Sequence, residues 1–135
     1  RAGKTKSLAD FAGRLVLVNF WATWCGPCIR EMPSLVRLQK KLSPSDVVVL
    51  ALSEDRKGWP VIDPFLIQHG LKTLAVYHDD KGSAVRQLKV AGLPTTILFD
   101  GKGRELGRLA GIAEWDSPEV VALIKYYIKL KEYNK

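Results

Sequence analysis

Leu15-Val16-Leu17-Val18-Asn19-Phe20-Trp21-Ala22-Thr23-Trp24-Cys25-Gly26-Pro27-Cys28 decides how this chain folds. Residues 14–22 are a nearly continuous run of apolar, β-branched and aromatic side chains with only Asn19 polar inside, which predicts a strand buried on both faces. Beyond Cys28, the residues Ile29, Met32, Leu35, Val36 and Leu42 recur at helical spacing, with Arg30, Glu31, Arg37, Lys40 and Lys41 between them. A strand therefore gives way to a helix that starts near Gly26, and Cys25 and Cys28 stand at the junction. A helix N-terminus carries unpaired N–H groups and a partial positive charge, both of which favour a thiolate over a thiol. These are the only two cysteines of the chain. They lie too close in sequence for a bond between them to restrain the unfolded chain much, so a bridge kept only for stability is a poor account of them. A dithiol that opens and closes is the economical reading.

Outward from this junction, residues 47–52 predict a second buried strand, and residues 57–70 a helix bounded by prolines at 60 and 64 and by Gly70, which resembles a C-terminal cap. Residues 74–77 read as a short strand, 79–82 as a turn and 83–89 as a short helix. Thr95–Phe99 reads as a strand, Asp100-Gly101-Lys102-Gly103 as a hairpin turn, and residues 104–110 as the returning partner. Ser117-Pro118-Glu119 opens the last helix, with Ser117 as N-cap and Pro118 in the first position. The apolar face of that helix is Val120, Val121, Ile124, Tyr127 and Ile128. This order predicts an α/β fold in which crossover helices join parallel strands and an antiparallel hairpin follows. With 135 residues, no linker and no internal repeat, one domain over residues 1–135 is expected, large enough to bury a core.

Lys and Arg number 21 against 14 Asp and Glu, a net charge of +7. The positive residues are scattered, with a mild concentration at Lys125, Lys129, Lys131 and Lys135, and no basic run is interleaved with aromatics. That pattern favours a solvated basic face over nucleic-acid binding. No window approaches the roughly 18 uninterrupted apolar residues of a spanning helix. The chain begins at Arg1, so a mature or trimmed domain is expected, with any signal or anchor upstream. His69 and His78 stand nine apart, which fits no zinc-site spacing, and each reads as a turn or surface histidine. No metal is expected, although a soft thiolate pair could hold Cu(I) as an alternative.

Asn19-Phe20-Trp21-Ala22-Thr23-Trp24-Cys25-Gly26-Pro27-Cys28-Ile29-Arg30-Glu31-Met32-Pro33 resembles the active-site signature of the TlpA-like thiol-disulfide oxidoreductases, the thioredoxin-superfamily group of ResA, TlpA and CcmG. Gly92-Leu93-Pro94-Thr95-Thr96 is similar to that family's second signature, a loop with a cis-proline. The hairpin and the last helix fit too, so the likeness covers essentially the whole chain. About forty residues lie between the strand at 47–52 and Gly92, more than ordinary thioredoxin needs and similar to the αβ insertion of the TlpA-like group. The resemblance implies a thioredoxin fold: a mixed central sheet flanked by helices, with an N-terminal extension and a central αβ insertion.

Cys25 is expected to be the nucleophile, being nearer the exposed helix end, and Cys28, one turn inward, to resolve the mixed disulfide. Thioredoxins carry a buried aspartate where Asn19 stands, and an amide takes up no proton at physiological pH. Glu31 lies one helical turn beyond Cys28, and the resemblance implies that it takes the proton role instead. Trp24 and Trp21 are expected to flank the site, Trp21 as core. Pro27 suits a helix start, and Gly26-Pro27 offers few donors to a thiolate. By resemblance to thioredoxin, Cys-Gly-Pro-Cys leans towards a reductase. The cis Pro94 that the resemblance implies would lie beside the cysteines and leave the backbone of Leu93 and Thr95 to pair with an extended substrate segment.

The activity so implied is reduction of disulfides in extracytoplasmic partner proteins, with no cofactor beyond the Cys25–Cys28 pair. The family implies apocytochrome c or copper-handling proteins of cytochrome oxidase assembly as partners. It implies electrons from a membrane thiol transporter of the DsbD or CcdA kind. A monomer is expected, in the periplasm or on the outer face of the bacterial inner membrane, with a possible upstream anchor. Leu93-Pro94-Thr95-Thr96 departs from the Pro-Glu loop of the dedicated cytochrome-c branch, which leans towards a broader reductase. The rival reading is a chaperone-like thioredoxin-fold module that recognises partners through the Pro94 loop without turnover. A peroxide-reducing relative of the fold carries a single reactive cysteine with an upstream Pro and Thr, which has no counterpart here.

Overall fold

Residues Leu15–Trp21 form strand β1, and every one of them is buried. A strand covered on both faces must stand inside its sheet. In the computed structural model, which describes residues 8–133, β1 is the centre of a five-stranded mixed sheet of order β3-β2-β1-β4-β5. Around it stand α1 (Gly26–Lys41), β2 (Val47–Ser53), α2 (Trp59–Gln68), β3 (Ala75–His78), α3 (Ser83–Gln87), β4 (Thr95–Phe99), β5 (Glu105–Ala110) and α4 (Pro118–Tyr133). β2 runs parallel to β1 and β3 parallel to β2, while β4 is antiparallel to β1 and β5 to β4.

Alternation along β1 divides the core. Leu15, Leu17 and Trp21 pack with Met32 and Leu35 of α1, Ile62 and Phe65 of α2 and Ile124 of α4. Val16, Val18 and Phe20 face the other way, towards Leu50, Ile97 and Phe99, covered by Phe11, Val85 and Leu88. Burying each large apolar side chain contributes about 1.5–3 kcal/mol, so the register of β1 is strongly specified. The expected apolar face of α4 is the one that packs: Ile124 is buried, and Val120, Val121, Tyr127 and Ile128 lean on the core. Ser117 Oγ accepts the Val120 N–H at 3.3 Å.

α2 and β3 are the insertion between β2 and α3, and β3 adds the outer parallel strand. Residues 79–82, expected as a plain turn, wind instead into a 3₁₀ turn at Asp80–Gly82 that leads into α3. The reason is Asp79, whose carboxylate accepts the N–H groups of Ala84 at 2.8 Å and Val85 at 3.0 Å and so caps the start of α3. In the hairpin, Asp100 Oδ1 accepts the N–H groups of Lys102 and Arg104, both at 2.9 Å. Gly101 lies so close to Gly13 that a Cβ there would meet its backbone at 3.2 Å, which ties the hairpin to the lead-in of β1. Of the expected N-terminal extension, residues 1–7 lie outside the described residues, and Leu8–Phe11 form a 3₁₀ turn. Among the described residues, no helix is long and apolar enough to cross a membrane.

Candidate active site

β1 delivers the chain to Ala22, and a tight turn follows in which the Cys25 N–H donates to the Ala22 carbonyl at 3.1 Å. Cys25 is the N-cap of α1, with extended backbone, and its Sγ accepts the Cys28 N–H at 3.3 Å. Pro27 occupies the first turn, where a missing N–H is harmless. Cys25 and Cys28 are joined in a disulfide. Their surroundings are unequal: Cys25 is 6% exposed and Cys28 0%. Any reagent outside the protein therefore reaches Cys25 first. Gly26 and Pro27 are exposed beside the pair. Trp24 is 70% exposed, whereas Trp21 is buried with its ring 5.3 Å from that of Phe65.

The Leu93–Pro94 peptide bond is cis. Pro94 is buried just before β4, whose Thr95 stands opposite Phe20 of β1 and Ala110 of β5. Thr95 is thus inside the sheet, and its hydroxyl donates to the Gly92 carbonyl at 2.7 Å, closing the loop. Gly92 is exposed and Leu93 half-buried. A cleft of about 210 Å³ adjoins this loop, lined by Glu54, Val85, Val90, Ala91, Gly92 and Leu93.

Glu31 is 2% exposed, on α1 one turn beyond Cys28. Its Oε1 accepts Asn19 Nδ2 at 2.7 Å, and its Oε2 accepts the Ala113 N–H and the Trp115 indole N–H, each at 3.0 Å. Asn19 Nδ2 donates also to Thr96 Oγ1 at 2.9 Å, while Asn19 Oδ1 is buried without a partner. Burial pushes the Glu31 carboxyl above its ordinary value, against the opposing pull of the bonds from Trp115, Asn19 and Ala113. A buried carboxylate of raised proton affinity, one turn from a buried thiol, is suited to accept that thiol's proton.

Sequence reasoning did not find Asp55. It is 3% exposed and fastens the loop ahead of Cys25. Both its oxygens accept the Thr23 N–H at 3.0–3.1 Å, Oδ1 accepts the Thr23 hydroxyl at 2.6 Å, and Oδ2 accepts the Ser53 hydroxyl at 2.6 Å. Trp115, 84 residues from Glu31, was equally invisible, since only the fold brings the two together. The histidines part company. His69 is exposed at the end of α2 and stacks on Phe65, but His78 is a half-buried strand residue rather than a turn or surface one, its Nε2 bonded to the Asp55 carbonyl at 2.7 Å. Among the described residues, no three His, Cys, Asp or Glu side chains gather as metal ligands.

A cysteine disulfide at the N-terminus of α1, together with a cis-proline loop that leads into β4 of this sheet, defines a thioredoxin-fold protein. Residues 1–111 match the model of the AhpC/TSA family, and the chain belongs to that family. Over 109 residues it is 37% identical to the thiol-disulfide oxidoreductase ResA of Bacillus thuringiensis subsp. konkukian, a match that takes in 81% of this chain and 62% of that protein. It thus spans less than two thirds of that relative's length. The structure of a Chlorobium tepidum protein assigned as a thiol:disulfide interchange protein DsbE is similar at a TM-score of 0.73 and 31% identity, over 92% of this chain and 84% of the other. The exposed lipoprotein thioredoxin of Streptococcus pneumoniae superposes at a TM-score of 0.78 and 27% identity, over 93% of each chain.

Proposed function

We propose that this domain is a protein-disulfide reductase that works by thiol–disulfide exchange at Cys25 and Cys28. The observation that carries the reading is the inequality of the pair: Cys25 keeps a small exposure, 6%, at the N-cap of α1, while Cys28 is sealed at 0% with Glu31 a turn away. In the reduced protein, the Cys25 thiolate attacks a partner disulfide. The partner's S–S bond breaks, one partner sulfur leaves as a thiolate, and a Cys25–partner bond forms. Cys28 then loses its proton to Glu31 and attacks the Cys25 sulfur. The second partner sulfur leaves, and the Cys25–Cys28 disulfide results. Two electrons pass to the partner, and no prosthetic group is involved.

The exposed surface of Trp24, Gly26 and Pro27, with Leu93 and the adjoining cleft, would seat an extended segment of the partner, and Pro94 and Thr95 would hold that loop in shape. Relatives named ResA, DsbE and exposed lipoprotein thioredoxin support an extracytoplasmic placement, in the periplasm or on the outer face of the bacterial inner membrane. We place the domain there, re-reduced by a membrane thiol transporter of the DsbD or CcdA kind. Its partners on this reading are copper-assembly proteins or apocytochrome c.

The test is Cys28→Ser in intact cells, quenched with acid and resolved by mass spectrometry. Mixed disulfides through Cys25 are expected, and their partners identify the branch. If Cys28→Ser traps nothing, or if Cys25→Ser traps instead, the assignment of roles fails.

A further inference from the structure

A cleft of about 350 Å³ lies at the far end of α1 from the cysteines, and none of its lining belongs to the Cys25–Cys28 site. It opens between the last turn of α1 and α4, lined by Lys41, Leu42, Ser43, Asp46, Lys125, Ile128 and Lys129. α1 has 16 residues, so at 1.5 Å per residue its two ends stand about 24 Å apart, with Cys25 at one and Lys41 at the other. Three lysines converge on this cleft and Asp46 is the only carboxylate in its lining. Lys125 and Lys129 are one turn apart on α4 and so stand on neighbouring positions of its surface, a like-charge spacing mildly unfavourable to the helix. The adjoining face of α4 is apolar yet uncovered: Leu123 is 53% exposed, Tyr126 59% and Leu130 40%. These three repeat at helical spacing along one stripe. An apolar stripe with tyrosine, bordered by lysines, is what a helix lying in a membrane interface presents.

We propose that this end of the domain docks on an anionic phospholipid surface. Lys41, Lys125 and Lys129 take the phosphate headgroups, and Leu123, Tyr126 and Leu130 enter the headgroup–acyl boundary. Charge complementarity selects this occupant: the chain carries +7, and the apolar stripe alone would not discriminate lipid charge. The docked domain would hold Cys25, Trp24 and the Pro94 loop away from the bilayer, open to partners.

The full chain is sedimented with vesicles of phosphatidylcholine, or of equal phosphatidylcholine and phosphatidylglycerol, at low and physiological salt. Binding to the phosphatidylglycerol vesicles alone, weakened by salt, is expected. The double variant K125Q/K129Q should weaken it roughly 30-fold, at about fivefold per lysine near a charged surface. L123S/L130S should weaken it with the charge unchanged. Insulin-disulfide reduction and circular dichroism of both variants confirm that the fold survives. Equal binding to both vesicles, or binding indifferent to either double variant, overturns the proposal. So does a saturable response to inorganic phosphate at the cleft without vesicle binding, which would mark a small-anion site. Dimerisation in analytical ultracentrifugation that L123S/L130S abolishes also overturns it, because the stripe would then serve a second copy.

Discussion

At the scale of the residue, Glu31 is where local pattern and tertiary environment diverge. By spacing alone it is a helical glutamate among Arg30, Arg37 and Lys40, with nothing to separate it from a solvated one. The structure seals it and gives its oxygens three N–H donors from two separate segments, β1 and the loop between β5 and α4. Burial raises its proton affinity, so on the proposed mechanism transfer of the Cys28 proton to Glu31 should become faster as pH rises. Glu31→Gln is therefore expected to slow the resolution of the mixed disulfide by about 100-fold at neutral pH, the scale of a lost general base. It should also flatten the rising limb of the rate–pH profile, read by stopped-flow tryptophan fluorescence. A mutant that slows without changing the shape of that profile would make Glu31 a packing residue. Cys25 and Cys28 were legible because their meaning lies in local spacing, and Pro94 through the resemblance of its loop to a family signature; Asp55 and Trp115 were not, because theirs lies in contacts 32 and 84 residues away.

At the scale of the element, the turn between β1 and α1 is held from outside itself. β2 ends at Ser53, and two residues on, Asp55 reaches across to both the backbone and hydroxyl of Thr23. Asp55→Ala strands the part-buried N–H and hydroxyl of Thr23 and the buried hydroxyl of Ser53. Urea unfolding of the oxidised protein should show a loss of about 2 kcal/mol or more, the penalty for leaving such donors unpaired. An unchanged midpoint would mean that the loop is fixed by the disulfide alone. Most elements could be read ahead of the structure, because β1, α1, β4 and α4 each carry a strong period or cap. The Asp80–Gly82 turn could not, since it depends on the Asp79 cap of α3.

At the scale of the molecule, Glu54 and Asp79 bring two carboxyls together where β2 leaves the sheet. Burial, the hydrogen bond with Asp79 and the nearby charges of Asp79 and Asp55 push Glu54 up to about 9, with Arg86 opposing. A carboxyl whose folded value is raised favours folding while it is protonated. That contribution is whole below about 4.5 and is lost as pH rises towards 9. The melting temperature of the wild type should therefore fall between pH 5 and pH 9 in calorimetry, and Glu54→Gln should flatten that slope. A slope equal in both proteins would place the pH dependence elsewhere. The strand-to-helix junction, the reactive pair and the sheet's parallel-then-antiparallel order were all determined by the sequence alone, because side-chain period and cap chemistry act over a few residues. Which carboxylates are buried, what holds them, and which lysines share a cleft were decided only by the tertiary structure. Desolvation and charge proximity depend on distances in space, and no local pattern along the chain encodes them.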